Sequence, residues 1–391
     1  MNMNEQMKES EESILHTYNR FPVVFEKGQG CYLYDSEGKE YLDFAAGIAV
    51  NSLGYHYPGY DEALKDQIDK LMHISNLYYN EPIIEAGAKL VKASKMSKAF
   101  FTNSGTEAIE GALKAAKKYA YVRDGHADHE IIAMNHSFHG RSIGALSVTG
   151  TAHYREPFEP LMGGVKFADF NDLESVKAQI TDKTCAIITE VVQGEGGIYP
   201  AKKEFLEGLR QICDEKDIML IFDEIQCGMG RTGHYFAWQA YGVQPDIMTS
   251  AKALGCGVPV GAFVLGEKAA KASLEPGDHG TTYGGNPFVC AAVSKVFDIY
   301  ENDKIIEHVQ EMTPYLEQKL DEIVAKHECA ATRRGMGFMQ GIVIQGRSVG
   351  EVVKAALAKG LLVISAGSDV LRIVPPLVIT KEHIDKMAAI L

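Results

Sequence analysis

The chain has 391 residues, of which 46% are hydrophobic and 23% are charged, values that are ordinary for a globular protein. This length predicts two or three domains around a large core. The net charge of −13 argues against nonspecific binding to nucleic acid or to anionic membranes. An acidic protein that binds anionic ligands must concentrate positive charge locally, so a few arginines and lysines should matter most.

The cysteines and the N-terminus indicate the compartment. Seven cysteines are scattered along the chain, with no CxxC pair and no spacing typical of a zinc site. Such a set is typical of reduced thiols rather than of a disulfide framework. The first residues are polar and acidic, and no apolar stretch is long enough to span a bilayer. We therefore expect a cytoplasmic protein without a signal peptide or a membrane partner.

The predicted elements begin with a polar arm over residues 1–20, followed by short strands over residues 23–43. From about residue 60 to residue 270, apolar strands alternate with amphipathic helices, which is the pattern of βαβ units and a mainly parallel sheet. The candidate strands are residues 99–102, 131–134, 144–148, 186–190, 219–223, 247–250 and 262–265.

The pattern changes after about residue 290, and residues 284–287 are predicted to join the two parts. A long helix is followed by strand, helix, two strands and helix, which predicts a smaller α+β domain. We expect an α/β fold with an N-terminal segment (1–55), a large domain (56–285) and a small C-terminal domain (286–391). The candidate elements of the last part are residues 337–344, 349–359, 362–365, 371–373 and 381–391.

An acid and an amine follow two of the predicted strands. Residues 218–222 are all apolar, as in a strand buried on both faces, and they are followed by Asp223. Lys252 comes soon after the strand at residues 247–250. Ligands of open α/β sheets bind at the carboxyl ends of the strands. Because pyridoxal phosphate needs an acid at its pyridinium nitrogen and a lysine at its aldehyde, this pair predicts an enzyme that uses that cofactor.

A second candidate segment lies at the start of a predicted helix. Ser104, Gly105 and Thr106 follow a strand, and small residues at a helix start leave backbone N–H groups free to bind a phosphate. The alternative is a capping box between Ser104 and Glu107, which have the required spacing. The residues alone leave both interpretations open.

A third segment combines an aromatic residue with an arginine. Phe138 could stack on a flat heterocycle and Arg141 could bind a carboxylate, or they could be a buried ring at a turn and a surface arginine. His136 and His139 could suggest a metal, but no carboxylate or cysteine completes a ligand set, so we expect no metal.

Further candidates are charged or hydroxylated residues in unusual settings. Glu190 and Glu195 flank a glycine-rich loop after a strand, where they could line a site or only solvate the loop. Thr281 and Thr282 could donate hydrogen bonds to a phosphate or form a turn. Arg372 lies within an apolar strand, where a charge is costly unless it is paired, binds a ligand or faces solvent at an edge.

One motif lacks the context that its chemistry requires. Residues 228–233 match the pattern GxGxxG, which binds dinucleotides when it connects a strand directly to a helix. Here residues 224–227 separate the motif from the preceding strand, so we expect no dinucleotide site.

Together these segments resemble the class III aminotransferases of the fold-type I pyridoxal phosphate enzymes, and within them the acetylornithine aminotransferase group. The resemblance covers residues 21–391 and is specific because its motifs occur jointly and in order. These motifs are residues 47–51, 80–82, 103–108, 138–141, 193–197, 223–226, 251–255, 279–287 and 371–372.

The resemblance implies roles around the cofactor. Lys252 would bind the cofactor aldehyde, Asp223 would hold the pyridine nitrogen protonated, and Gln226 would contact the ring oxygen. Thr282 would reach the phosphate bound by the neighbouring subunit, which implies a homodimer with shared sites. The implied cofactor contacts are Ser104, Gly105, Thr106, Phe138, His139, Asp223, Glu224, Ile225, Gln226, Lys252 and Thr282, with Lys252 and Asp223 catalytic.

The resemblance also implies roles toward the substrates. Arg141 would bind the α-carboxylate of an ω-amino substrate, and Arg372 that of 2-oxoglutarate, with Glu195 neutralising Arg372 when it is not needed. Thr281 would lie near the substrate. Ornithine aminotransferases have a tyrosine at the position of Gly47, and the glycine leaves room for an acyl group on the α-nitrogen.

The implied reaction is transfer of the δ-amino group of N2-acetyl-L-ornithine to 2-oxoglutarate, as in arginine biosynthesis. Succinylornithine, ornithine and 4-aminobutyrate aminotransferases are the alternatives within the fold. A pyridoxal phosphate decarboxylase or aminomutase is a more distant alternative, because one fold supports several chemistries. A regulator without enzymatic activity is disfavoured because no DNA-binding segment is visible.

Overall fold

The computed structural model describes residues 2–391. The strands are β1 (Phe25–Gln29), β2 (Tyr32–Asp35), β3 (Glu40–Asp43), β4 (Lys98–Thr102), β5 (Glu130–Met134), β6 (Val165–Ala168), β7 (Thr184–Glu190), β8 (Val192–Gln193), β9 (Tyr199–Pro200), β10 (Met219–Asp223), β11 (Ile247–Ser250), β12 (Gly261–Leu265), β13 (Ala330–Met336), β14 (Met339–Ile344), β15 (Leu361–Leu362), β16 (Ile364–Ala366) and β17 (Val370–Ile373).

Helices connect and cover these strands. They are α1 (Met3–Ser13), α2 (Ala46–Ala49), α3 (Tyr60–Lys70), α4 (Glu81–Ser94), α5 (Gly105–Asp124), α6 (Ile143–Ser147), α7 (Ala152–Arg155), α8 (Leu173–Gln179), α9 (Lys203–Lys216), α10 (Trp238–Tyr241), α11 (Glu267–Lys271), α12 (Pro287–Asn302), α13 (Ile305–Lys326), α14 (Val349–Ala358) and α15 (Lys381–Ile390). Within residues 2–391, no helix is both long enough and apolar enough to cross a membrane.

The central element is a seven-stranded sheet in the order β4-β12-β11-β10-β7-β5-β6. Its neighbours pair in parallel except around β12, which is antiparallel to both β11 and β4. The predicted α/β fold with a mainly parallel sheet of seven strands is therefore confirmed. Every residue of β7 and of β10 is buried, which explains why both strands are mostly apolar before the acids that end them.

Successive residues of the central strands belong to opposite faces. Ile131, Ile188 and Ile221 lie in one buried cluster together with the inner side of α5. Ile132 and Leu220, each one residue away along a strand, lie in a larger cluster on the other face. This alternation follows from the pleat of the strands. Since both faces are covered, polar groups concentrate at the strand ends.

Two predictions about this sheet were wrong. Residues 144–148, predicted as a strand, form α6, because an apolar run of five residues does not distinguish a buried strand from a buried helix. The seventh strand is instead β6, which the sequence analysis missed. β6 is an edge strand in which Lys166 stands between two half-buried apolar residues, so it lacks a continuous apolar run.

The C-terminal part contains the expected α+β unit with two differences. An antiparallel sheet in the order β13-β14-β17-β16 is packed by α13 and α14, and α15 packs on α13. The predicted single long helix is two helices, α12 and α13, separated at Lys304, whose φ of 53° interrupts the helix. The strand β13 was missed because Thr332, Arg333 and Arg334 make it polar.

The proposed domain boundaries stay a prediction. The strand β15 pairs in parallel with β3, so residues from the C-terminal part complete the N-terminal sheet β1-β2-β3. The helix α12 packs against α3 and α4 of the large domain. The N-terminal and C-terminal segments therefore share structure with their neighbours instead of standing apart.

The close contact between α5 and the sheet gives a stability prediction. A Cβ atom on Gly111 of α5 would lie 2.2 Å from the ring of Phe263 in β12. We expect Gly111→Ala to lower the free energy of unfolding by about 1–3 kcal/mol, because a packed core does not accept an extra methyl group without strain. Urea unfolding of the purified protein measures this change.

Gly87 of α4 is the matched control, because its Cβ would be 4.0 Å from the nearest atom, on Phe101. Gly87→Ala should raise the free energy of unfolding by roughly 0.5–1 kcal/mol through helix propensity. If the two variants changed stability equally, the steric explanation at Gly111 would be wrong.

Candidate active site

A cavity of about 420 Å³ opens at the carboxyl ends of the central strands. It collects side chains from the start of α5, the end of β10 and the segment after β11. Most of the predicted cofactor residues line it, together with the predicted substrate residue Arg141. The predicted residues in its wall are Ser104, Gly105, Thr106, Phe138, His139, Arg141, Asp223, Ile225, Gln226 and Lys252.

The start of α5 forms one end of this cavity. Ser104 is the N-cap residue, and its hydroxyl accepts a hydrogen bond from the Glu107 N–H group at 3.3 Å. Glu107 reaches back to the N–H group of Asn103 at 2.7 Å, so the capping box forms only in part. Capping and phosphate binding are compatible here, because Gly105 and Thr106 present the first helical N–H groups to the cavity. A Cβ at Gly105 would lie 2.9 Å from the Cδ1 atom of Ile225, so a larger residue here would require that side chain to shift.

Asp223 is oriented by three donors at the end of β10. Its Oδ2 atom accepts a hydrogen bond from Nδ1 of His139 at 2.7 Å. Its Oδ1 atom accepts bonds from the Ile225 N–H group at 3.0 Å and from the Thr249 hydroxyl at 3.3 Å. Only 3% of Asp223 is exposed, so its charge is held in a place from which water is largely excluded. His139, predicted to bind the cofactor, contacts this acid directly.

Lys252 lies in the cavity wall with its backbone in the left-handed region, at a φ of 47°. Burial lowers the pKa of the Lys252 amine below its usual value, while the negative charges of Asp223 and Glu195 oppose this change. A lower pKa increases the fraction of neutral amine, which is the form that attacks an aldehyde and accepts a proton.

Glu190 is a buried acid beside this pair. It is the register partner of Asp223 on the neighbouring strand β7. Its carboxylate accepts hydrogen bonds from the N–H groups of Phe138 and Gly194, both at 3.3 Å. Burial raises the pKa of Glu190, and the adjacent Asp223 raises it further. The alternative in which Glu190 only solvates a loop is therefore wrong.

Arg141 stands at the rim of the cavity and is held by aromatic rings. Its guanidinium carbon lies 4.0 Å from the ring centre of Tyr154 and 5.4 Å from that of Phe138. Tyr154, on the short helix α7, was missed by the sequence analysis, because nothing in the local pattern marks it. These contacts leave the polar edge of an exposed arginine free to bind an anion.

Arg372 and Glu195 are in direct contact. Nη1 of Arg372 donates to Oε1 of Glu195 at 2.7 Å and to Oε1 of Gln226 at 3.2 Å. Only 3% of Arg372 is exposed, so the alternative of an arginine facing solvent at a strand edge is wrong. Gln226 lies at both the cavity and this ion pair, and it connects the predicted cofactor site with the predicted carboxylate clamp.

Six predicted residues lie outside the wall of the cavity: Arg372 and Glu195, described above, and Glu224, Thr281, Thr282 and Gly47. The Glu224 carboxylate accepts hydrogen bonds from two backbone N–H groups at the start of α10, both at 2.8 Å. The Glu224 side chain therefore points away from the cavity wall, and its contact with the cofactor stays a prediction. Thr281 accepts a bond from Asn103 of its own chain at 3.3 Å, and Thr282 is exposed. Gly47 belongs to α2, which precedes the wall residue Val50.

The rejected GxGxxG segment has a structural role. Arg231 within it is almost completely buried and donates hydrogen bonds to the carbonyl oxygens of Phe338 and Pro375. Burial lowers the pKa of Arg231 to about 10. The guanidinium therefore ties this loop to the backbone that follows β17.

One group of potential metal ligands, Asp124, His126 and His129, lies at the far end of α5 from the cavity. The Asp124 carboxylate is already paired with Arg123 at 2.6 Å and with His129 at 2.9 Å. This pairing lowers the attraction of the group for a cation. The absence of a metal stays a prediction.

Comparison with known proteins gives the family. The family model described as Aminotransferase class-III matches residues 14–391. This chain belongs to the class III aminotransferases. It is 48% identical to the acetylornithine aminotransferase of Clostridium acetobutylicum, over 97% of this chain and 98% of that protein.

This class III aminotransferase is also similar to proteins named for related substrates. It is 44% identical to the succinylornithine transaminase of Yersinia pseudotuberculosis, over 96% of this chain and 92% of that protein. The crystal structure of the ornithine aminotransferase from Toxoplasma gondii ME49 superposes with a TM-score of 0.95 at 29% identity, covering 100% of this chain and 94% of that one.

Membership of this family makes pyridoxal phosphate the cofactor, and the cavity fits it. A helix start offers N–H groups to a phosphate, and a buried carboxylate and an amine stand where the cofactor needs them. The close packing of Gly105 against Ile225 brings the backbone, rather than a side chain, to the phosphate end. The residues present therefore match the chemical groups of the cofactor.

The lowered pKa of Lys252 gives a prediction for the protein freed of cofactor. Between the lowered pKa and the usual value near 10.4, the unfolded chain binds more protons at this lysine than the folded one, so stability rises with pH. We expect Lys252→Met to increase the free energy of unfolding at pH 7 and to increase it less at pH 10. Urea unfolding at both pH values measures the difference.

Lys268→Met is the control, because Lys268 is only half-buried and pairs with Asp217 at 2.7 Å. This variant should show no comparable gain at pH 7. A Lys252→Met variant that is less stable than the wild type at neutral pH would contradict the prediction.

Proposed function

We propose that this aminotransferase transfers the δ-amino group of N2-acetyl-L-ornithine to 2-oxoglutarate, giving N-acetylglutamate 5-semialdehyde and glutamate, in arginine biosynthesis. The observation that carries the proposal is the 2.7 Å pair between Arg372 and Glu195 beside a separate arginine at Arg141. Two carboxylate clamps, one of which can be neutralised, suit an enzyme that alternates between two different substrates.

When bound, pyridoxal phosphate supplies an electron sink for the negative charge at the carbon that carries the amine. Asp223 would face the pyridine nitrogen of the cofactor, and His139 fixes the orientation of that carboxylate through the 2.7 Å hydrogen bond. The Lys252 amine takes up and returns the proton at the reacting carbon, and its lowered pKa increases the fraction of neutral amine that can accept this proton.

Arg141 binds the α-carboxylate of the amino donor. The ring of Tyr154 beneath its guanidinium restricts the orientations that Arg141 can adopt, so the carboxylate is received in one position. With the α-carboxylate fixed there, the δ-amine of an ornithine skeleton reaches toward Lys252. Gly47 leaves space for the acyl group on the α-nitrogen.

The comparisons favour an acylated ornithine as the amino donor. Identity to an acetylornithine aminotransferase and to a succinylornithine transaminase is higher than identity to an ornithine aminotransferase of nearly the same fold. Succinylornithine is therefore the second candidate. Free ornithine and 4-aminobutyrate are less favoured because Gly47 would leave unfilled space beside either of them.

We also propose a homodimer with shared sites in the cytoplasm. Leu77 and Tyr79 are 85% and 96% exposed, and the loop that carries them is joined to the threonine loop by a hydrogen bond from Asn76 to the Gly284 carbonyl oxygen. A second copy of the chain would cover these apolar side chains and would bring Thr282 to the neighbouring cavity. The seven unpaired cysteines suit a reducing compartment.

The substrate proposal is tested by a half-reaction screen. The purified cofactor-loaded enzyme is mixed with N-acetylornithine, succinylornithine, ornithine or 4-aminobutyrate, and conversion of the cofactor to its amine form is followed by absorbance. We expect the acylated ornithines to react at least about tenfold faster than the other two, because each site contact is worth on the order of 1.4 kcal/mol. Faster reaction with 4-aminobutyrate would reject the substrate assignment.

The same screen with Arg141→Ala tests the donor clamp. We expect catalytic efficiency for N-acetylornithine to fall by about 10²-fold or more, since a charge-assisted bidentate contact is lost. Arg155→Ala is the control. Arg155 lies on the same short helix as Tyr154, but its guanidinium stacks on the ring of Phe167 instead of contacting Arg141. Unchanged efficiency in Arg141→Ala would remove Arg141 from the site.

Shared sites are tested by mixing two inactive variants. Lys252→Ala removes the reacting amine, and Thr282→Asp places a negative charge against the phosphate. If Thr282 serves the neighbouring subunit, a hybrid dimer contains one intact site and should recover about half of the wild-type activity per dimer. If Thr282 serves its own subunit, no site of the hybrid is intact and no activity should return.

A further inference from the structure

Three neighbouring strands of the C-terminal sheet align two arginines on either side of a glycine. Arg334 of β13 is the register partner of Gly341 in β14, and Gly341 is the register partner of Arg372 in β17. Register partners point to the same face of a sheet. Both guanidinium groups therefore rise from one face, with the space above Gly341 between them.

The loop that carries Glu195 lies in this space. Ile198 is fully buried, and a Cβ at Gly341 would be 3.1 Å from its side chain. Ile198 thus packs directly on the backbone of β14, and its φ of 59° turns the chain there. The glycine at position 341 is what allows the loop to approach the sheet so closely.

Arg334 holds the loop on one side of Ile198. Its Nε atom donates a hydrogen bond to the carbonyl oxygen of Gly197 at 2.7 Å. Its guanidinium carbon lies 3.6 Å from the ring centre of Tyr199 in β9. Among residues 2–391, no carboxylate lies within ion-pair distance of Arg334, so this cation is not engaged in a salt bridge of its own chain.

The other side of the loop is held at Glu195 itself. The N–H group of Gly367, between β16 and β17, donates to the Glu195 carbonyl oxygen at 2.8 Å. The Glu195 carboxylate meets Arg372 at 2.7 Å. The backbone of the loop is therefore fastened at two points to the C-terminal sheet, and the Glu195 side chain is half-buried above it.

We propose that Arg334 is a positioning residue that keeps the Glu195 carboxylate in register with Arg372, an inference that rests on the proposed two-substrate function of that pair. A dicarboxylate such as 2-oxoglutarate or glutamate needs Arg372 free, so Glu195 must turn away. Because Arg334 and Gly367 hold the backbone, the movement is confined to the side chain, which returns to the same place. N-acetylornithine, in contrast, needs Arg372 neutralised.

This proposal predicts that loss of Arg334 changes the choice between two amino donors rather than lowering activity with both. Without Arg334, the loop keeps one attachment fewer and Glu195 neutralises Arg372 less completely. An unneutralised buried arginine disfavours a substrate that brings no carboxylate to it. Reaction with N-acetylornithine should therefore weaken, whereas reaction with glutamate, which supplies its own carboxylate, should not.

The test compares two amine donors on the cofactor-loaded enzyme. We expect Arg334→Met to lower the ratio of kcat/KM for N-acetylornithine to kcat/KM for glutamate by about tenfold, the value of one charge-assisted hydrogen bond. Arg334→Lys keeps the charge but not the planar stacking group. Its ratio of the two kcat/KM values should therefore lie between that of Arg334→Met and that of the wild type. Amide hydrogen exchange of the peptide containing residues 194–199 should become faster in Arg334→Met.

Arg333→Met is the matched control on the same strand. Arg333 pairs with Asp321 at 2.7 Å and with Glu317 at 3.2 Å, on the side facing α13. Arg333→Met should leave the ratio of kcat/KM for N-acetylornithine to kcat/KM for glutamate (the donor ratio) unchanged, even if the free energy of unfolding falls. If Arg334→Met does not fold, Tyr199→Leu removes the stacking partner from an exposed position and should shift the ratio in the same direction.

The measurements distinguish failure of the proposed function, of the Glu195 switch and of the Arg334 positioning role. If the wild type does not react with N-acetylornithine, the proposed function is wrong. If the wild type reacts but Glu195→Gln leaves the donor ratio unchanged, Glu195 does not act as the switch. If Glu195→Gln shifts the ratio and Arg334→Met does not, or if both donors weaken equally in Arg334→Met, Arg334 has no positioning role.

Discussion

The buried guanidinium of Arg372 imposes a constraint that much of the surrounding structure satisfies. An arginine with 3% of its surface exposed is stable only when an anion replaces the lost water. Glu195 provides that anion, but a glutamate on a glycine-rich loop would not stay in place without support. The close packing of Ile198 on Gly341 and the hydrogen bond from Gly367 to the Glu195 backbone supply the support.

The parallel sheet explains why the reacting groups lie together. Glu190, Asp223 and Thr249 are register partners on three neighbouring strands, so their side chains end in one row. Two acids in such a row repel each other, and the raised pKa of Glu190 reflects this together with burial. The opposite charge of Lys252 and the donors on Asp223 lower the cost of that arrangement.

The start of α5 makes one end of the cavity electropositive. Its first N–H groups and the helix dipole favour an anion, while the acids at the strand ends favour a cation. A ligand with a phosphate at one end and a protonated ring nitrogen at the other is complementary to both. The backbone N–H groups of Ala237 and Trp238 instead bind the Glu224 carboxylate, which keeps that acid out of the cavity.

The sequence predicted most reliably what depends on local chain pattern. Strands such as β7 and β10 are buried on both faces and end in acids, so their positions and the site at their ends could be read from consecutive residues. Edge strands are less apolar, which is why β6 and β13 were missed. The direction of the Glu224 side chain depends on α10, a helix formed fourteen residues later in the chain.

Contacts between distant segments could not be predicted in this way. Tyr154 beneath Arg141 has no fixed offset from that arginine, because the intervening turn and α6 determine where the ring lies. Arg334 acts across 137 positions of sequence, on the carbonyl oxygen of Gly197. Its strand is polar and unremarkable as a sequence, and only the sheet register places it beside Arg372. Resemblance to a family supplied the roles of single residues, but not these contacts.

The turn that carries Gly47 is a strained segment that the surrounding fold holds in place. Four consecutive residues, from Ala46 to Ala49, have φ values between 48° and 66°, a left-handed turn that costs about 1–2 kcal/mol at each residue other than glycine. The carboxylate of Asp43 offsets part of this cost by accepting hydrogen bonds from the N–H groups of Ala45 and Ala46 at 2.9 and 2.8 Å.

The backbone just beyond Arg372 holds this strained turn from both sides. The N–H groups of Val374 and Leu377 donate to the carbonyl oxygens of Phe44 and Ser52, at 2.9 and 2.6 Å. The segment that follows Arg372 therefore also fixes the turn at Gly47. Because backbone strain of this kind persists only where the surroundings enforce it, the conformation of this turn is a rigid property of the fold. One continuous stretch of chain thus contains Arg372 and holds the turn at Gly47.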